Sequence, residues 1–126
     1  IMRASNFEVF GKTFTLAFPQ DGVQQPATFI NKGASRVEST TLTALARPVA
    51  GNPLADVVEV NLTIPVLATD ASTNATTVKG LDRYKISVRH SEHSTDDDKT
   101  RGFALLCALL TDEQIAAVLC NGERLV

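Results

Sequence analysis

Four polar side chains recur at every second position late in the chain: Arg83, Lys85, Ser87 and Arg89. That spacing puts them on one side of a strand, with Tyr84, Ile86 and Val88 on the other. A row of cations on an open face suits contact with the phosphates of a nucleic acid. Arg47 adds a further cation. Thr41, Thr43, Asn61 and Thr63 add hydroxyl and amide groups at the same spacing on two other stretches, and such groups meet phosphates and base edges. The plainer reading of the same pattern is a solvated sheet face.

Other chemistry has less to stand on. His90 and His93 are the only histidines, and Asp96, Asp97 and Asp98 follow closely. Together they suggest a metal site or a general base. However, His90 falls on the apolar side of its strand by parity, His93 falls in a turn, and consecutive aspartates before an apolar run more often cap a helix. Cys107 and Cys120 are the only cysteines. They form no paired C-x-x-C motif for zinc, and Cys107 lies on an apolar helical stripe, so a buried thiol is expected. No G-x-S-x-G and no glycine-rich phosphate loop occurs, so an enzyme is not expected and no cofactor is implied. Asn61-Leu62-Thr63 and Asn74-Ala75-Thr76 fit the glycosylation pattern, but no apolar block follows Arg3 to act as a secretory signal, so they are read as chance matches.

The elements that must position these residues follow from periodicity. Phe7–Phe10 and Phe14–Phe18 read as short strands joined at Gly11-Lys12-Thr13. Pro19–Gly22 is a turn, Val23–Ile30 a third strand weakened by Pro26, and Asn31-Lys32-Gly33 another turn. Arg36–Arg47 alternates, with Leu42, Ala44 and Ala46 on one face and Thr41, Thr43, Leu45 and Arg47 on the other. Pro48–Pro53 reads as a loop. Ala55–Val66 alternates most clearly, Val58, Val60, Leu62 and Ile64 against Val57, Glu59, Asn61 and Thr63. Ala68–Thr77 is small and polar and reads as a flexible loop. Val78–His90 is the basic strand.

Two helices end the sequence. Thr95 caps the first with Asp98 as its capping-box partner, Ser94 with Asp97 being an equal alternative. Phe103, Leu106, Cys107 and Leu110 recur at helical spacing. The second helix is expected to start at Thr111, with Gln114 completing a capping box and Leu110 and Ile115 as a hydrophobic staple. Ile115, Val118 and Leu119 form its stripe, and Asn121-Gly122 ends it. Strands first and helices last imply a segregated α+β fold: an N-terminal hairpin and an antiparallel sheet of about six strands, then two helices, in one domain. One-sided alternation implies a sheet covered on one face. Two short helices are few for such a sheet, so a second copy is expected to complete the core over Phe103, Leu106, Cys107, Leu110, Ile115, Val118 and Leu119.

Composition fits an ordinary globular protein, 44% hydrophobic and 21% charged. The longest apolar run, Phe103–Leu110, is too short to span a bilayer, and no membrane partner is expected. A net charge of −2 excludes bulk coating of nucleic acid. The charge is uneven: residues 1–91 hold nine basic and seven acidic side chains, residues 92–126 three and seven.

The stretch "HSTDDDKTRGFALLCALLTDEQIAAVLCNGERLV" resembles the C-terminus of the coat proteins of small single-stranded RNA bacteriophages, where a Ser-Thr-Asp start leads into "ALL" and a second short helix. "ASNFEVFGKTFTLAF" is similar to that family's N-terminal hairpin, and the long central strand pair, small-residue loop and last strand keep its order. The resemblance implies a homodimer with one continuous sheet, each subunit's helices crossing onto its partner. It implies dimers assembled in the bacterial host cytoplasm into an icosahedral virion shell, sheet inward on the RNA genome and helices outward. It also implies that the inner face grips a hairpin of the phage's own RNA and represses translation. The positions aligned with that grip are Thr41, Thr43, Arg47, Glu59, Asn61, Thr63, Arg83 and Lys85. The family often places a tyrosine where this chain has Arg83, and a guanidinium also stacks on bases. The alternative is a small oligomeric binding domain or enzyme with a pocket near His90 and His93.

Overall fold

A computed structural model describes residues 2–22, 24–49, 52–91 and 93–126, without the side chains of 48, 49 and 52–56. It contains six strands, β1 (Phe7–Val9), β2 (Lys12–Phe18), β3 (Ala27–Asn31), β4 (Thr40–Val49), β5 (Asn52–Thr69) and β6 (Thr76–His90), then helices α1 (Asp96–Leu110) and α2 (Glu113–Asn121). The strands form one sheet in chain order, β1-β2-β3-β4-β5-β6, so the expected α+β order is borne out. Residues 1–89 and 90–126 form two compact units.

Within the first unit, register sorts the side chains. Leu16 pairs with Phe29, Phe29 with Leu42, and Leu42 with Leu62. This apolar row crosses four strands. Phe7 stacks on Phe14 at 5.2 Å between ring centroids and meets Phe29 edge-on at 5.0 Å. Phe14 and Phe29 are the buried hydrophobic residues among the described ones.

The β1–β2 turn is tighter than expected. Val9 pairs with Lys12, leaving a two-residue loop of Phe10 (φ 52°) and Gly11 (φ 70°). Positive φ at both positions is the I′ geometry that matches strand twist and favours Asn-Gly. Lys12 and Thr13 therefore belong to β2. Phe10 is fully exposed, so no burial compensates a conformation costing a non-glycine residue roughly 1–2 kcal/mol. Phe10→Asn is expected to stabilise the fold by about 1 kcal/mol, read as a rise of a few degrees in Tm. An unchanged or lower Tm would show that the aromatic ring is held by something outside the single chain.

Other boundaries moved for local reasons. β3 starts at Ala27, after Pro26, which has no N–H to give the ladder; the expected start at Val23 lies outside the described residues. Beyond it, the Gln20 side chain acts as a substitute strand: its Nε2 donates to the Ala46 carbonyl (2.7 Å) and its Oε1 accepts from the Ala46 amide (3.1 Å). Asn31 ends β3 rather than entering a turn. Arg36–Glu38 is a 3₁₀ turn, not strand. The Ser39 hydroxyl donates to the Ser35 carbonyl (2.9 Å) and accepts from the Gly33 amide (3.0 Å), closing that corner. The expected loop at Pro48–Pro53 shrinks, since β4 reaches Val49 and β5 starts at Asn52; Ala50 and Gly51 lie outside the described residues.

The Ala68–Thr77 loop shrinks to residues 70–75. Its tip is organised by Asp70, whose Oδ1 accepts from the Ser72 amide (2.8 Å) and hydroxyl (2.7 Å). Those bonds from Ser72, hydroxyl first, hold the Asp70 carboxyl below its usual range.

In the second unit, Thr95 and Asp98 form the expected capping box: the Thr95 hydroxyl accepts from the Asp98 amide (3.2 Å), and Asp98 Oδ2 accepts from the Thr95 amide (3.1 Å). The bond from the Thr95 amide, with that from its hydroxyl, lowers the Asp98 pKa. Helix α2 departs from expectation. Asp112, not Thr111, is its N-cap, accepting from the Gln114 and Ile115 amides. The Thr111 hydroxyl instead donates to the Ala108 carbonyl and closes α1 (2.9 Å). With the cap displaced by one residue, Gln114 and Ile115 stand at the second and third helical positions, not at those of the expected capping box and staple. Gly122 (φ 64°) ends α2 in the left-handed region, as expected.

Candidate nucleic-acid interface

The side of the sheet opposite the phenylalanine cluster carries the predicted site. Thr41 pairs with Thr63 and Thr43 with Asn61. All four are half-buried, so the strand pairing brings these predicted residues together. β3 extends the rows: Ile30 lies opposite Thr41, and Thr28 opposite Thr43. Thr28 joins this face through its register with Thr43, a placement that Pro26, just before it, hides from the spacing of the sequence. Its hydroxyl bonds the Pro26 carbonyl (3.4 Å).

Two rungs along from Thr43, Leu45 pairs with Glu59 and Arg47 with Val57. The exposed Arg47 thus stands at one end of the face, apart from the Thr/Asn rows. On β6, Arg83, Lys85, Ser87 and Arg89 are all exposed. Lys85 Nζ reaches Glu59 Oε1 on the adjacent strand at 3.9 Å, which fixes the basic side of β6 to the same face as Thr43, Leu45 and Asn61. Periodicity places Glu59 on this face but cannot show that it meets Lys85, which depends on the β5–β6 pairing.

The face is therefore zoned. A hydroxyl and amide field occupies β3–β5, a basic strip follows β6, and one carboxylate stands between them. Such a surface can engage phosphate through the strip and base edges through the field.

The opposite side of β6 and the helices are apolar and open in the single chain. Tyr84 is 49% exposed and Ile86 40%. Phe103 is 68% exposed, and Leu110, Val118 and Leu119 are exposed as well; Leu106 and Ile115 are half-buried. In the single chain the Cys107 thiol, like that of Cys120, is exposed.

His90 is half-buried and His93 exposed, and no group of three or more metal-ligating side chains occurs among the described residues. A cavity of about 620 Å³ lies elsewhere, against Met2, Pro19, Ala27, Ala44, Ala46 and Val58. No single helix among the described residues is long and apolar enough to cross a membrane.

No family model and no curated protein matches the chain, but solved structures do. The subunit of the virus-like particle of Beihai levi-like virus 21 superposes with a TM-score of 0.83 at 18% identity, covering 99% of each chain. The virus-like particle of bacteriophage ESE058 gives 0.79 at 15%, over 99% of this chain and 100% of that one. The capsid protein of bacteriophage GA gives 0.63 at 15%, over 85% and 81%. The chain thus has the fold of the levivirus-type phage coat proteins, as its two ends had suggested.

Proposed function

We propose that the chain is a structural coat protein that pairs with a second copy, closes into an icosahedral shell and faces packaged single-stranded RNA with the zoned side of its sheet. The observation that carries this reading is likeness to a subunit of a virus-like particle: the match to the Beihai virus covers 99% of each chain. A physical argument supports the pairing. Among the described residues Phe14 and Phe29 are the buried hydrophobic side chains, a thin core for a chain of 126 residues. Apolar stripes left open on both helices and on β6 favour burial by roughly 25 cal/mol per Å². A partner whose helices cover this sheet, while its own sheet takes these helices, answers both deficits.

In this reading Arg83, Lys85, Ser87 and Arg89 hold phosphates, with Arg47 at the far end. Thr41, Thr43, Asn61 and Thr63 meet the bases or sugars of a hairpin, through which the dimer would also repress translation. Phe103, Leu106, Cys107, Leu110, Ile115, Val118 and Leu119 face the partner. The role is structural and needs no cofactor, and the site of action is the virion.

Electron microscopy of the purified full chain tests the reading. Closed shells of uniform size are expected, with absorbance showing nucleic acid inside. Small soluble oligomers without shells, in buffers of moderate and low salt, would refute it.

A further inference from the structure

We propose that Glu59 is a specificity-determining residue, making the centre of the sheet face accept a base with an exocyclic amine rather than a phosphate or a uracil. The inference rests on reading this face as an RNA surface. Glu59 lies directly opposite Leu45, and its side chain is 25% exposed, against 60% for Lys85. The carboxylate is therefore seated in the sheet while the ammonium stands out from it. At 3.9 Å the two share charge contact without a tight hydrogen bond, and an ionised carboxylate keeps several acceptor sites.

The neighbours decide what can approach. Leu45 offers an apolar surface to the plane of a base, and Asn61 and Thr43 lie one step further along the same face. A phosphate placed against Glu59 meets a like charge, which suppresses that register. The amino group of cytosine or adenine instead meets an acceptor; carboxylates read cytosine N4 in this way. Unpaired RNA bases expose that edge. At the position of cytosine N4 uracil presents the O4 carbonyl, which the carboxylate repels, and its single N3–H is the one donor left on that edge. Lys85, on the outer side of the pair, remains placed for the phosphate next to the selected base. With Arg83 and Arg89 on the same side of β6, the strip holds the backbone while Glu59 sets which base lies inward.

Fluorescence anisotropy of the full chain with short labelled oligocytidine and oligouridine separates these roles. The unmodified chain is expected to bind oligocytidine about fivefold more tightly than oligouridine. Glu59→Gln should erase that preference. It should also bind oligouridine about threefold more tightly, with a salt slope steeper by about 0.7, because one more cation is free for phosphate. Lys85→Gln should keep the preference and weaken both complexes about threefold. Matching melting curves control for the fold. Preference retained in Glu59→Gln, or lost in Lys85→Gln, overturns the proposal and leaves RNA binding intact. An unmodified chain that binds neither oligonucleotide overturns the RNA reading itself, and this inference with it.

Discussion

Phe103→Asp or Leu106→Asp abolishes both dimer and shell: this is the largest effect expected of any single substitution here. Both residues lie on the α1 stripe, and Phe103 is 68% exposed in the single chain. If a partner covers them, removing such a side chain alone costs about 2–5 kcal/mol, and an aspartate adds the cost of a charge without a partner in an apolar contact. Where dimer formation and folding are one equilibrium, that loss falls on the folded state itself. Sedimentation with circular dichroism reads the outcome. Loss of dimer together with loss of fold is expected. Unchanged dimers would show that the stripe faces solvent, where such substitutions usually stay within about 0.5 kcal/mol. A folded monomer would show that one chain's core suffices.

Replacing Arg83 and Lys85 together by glutamate has the opposite character: the dimer persists and the RNA is lost. Both side chains are exposed, and Lys85 has only the Glu59 contact at 3.9 Å to give up. A surface pair of that kind contributes at most about 1 kcal/mol, so the melting curve should barely move. Binding responds differently, because each phosphate contact removed lowers the salt slope by roughly 0.7 on a single strand and two reversed charges add repulsion. Purified shells of the double variant should show a clear fall in the ratio of nucleic-acid to protein absorbance, or assemble poorly around RNA. Unchanged RNA content with an unchanged melting curve would leave the basic row of β6 as a solvated surface. The pairing of these experiments matters, since one tests the apolar side of the chain and the other the polar side.

Much of this arrangement was legible because period and parity are local. Val58, Val60, Leu62 and Ile64 alternate without interruption, and β5 formed over them and beyond. Thr95 and Asp98 carried their own capping chemistry, and the box formed as read. Sequence pattern and structure part where a backbone group had two competing partners. Thr111 could have opened α2, yet its hydroxyl found the Ala108 carbonyl of the preceding turn and Asp112 became the cap. Arg36–Glu38 alternated like a strand, but the Ser39 hydroxyl bridged Gly33 and Ser35 and bent it into a turn.

By itself the sequence determined which side chains share a face, since a strand repeats every two residues and a helix every 3.6 whatever surrounds them. It determined the basic strip of β6, the hydroxyl and amide rows of β4 and β5 and the helical stripes. Only the tertiary structure decided what lies beside what. Register set Thr43 against Asn61 and Leu45 against Glu59, and strand order brought Lys85 to Glu59. It left the Cys107 thiol, on the apolar stripe of α1, exposed in the single chain. Parity says which way a side chain points, whereas burial depends on whether another surface arrives, and that is a property of distant contacts that no local spacing encodes.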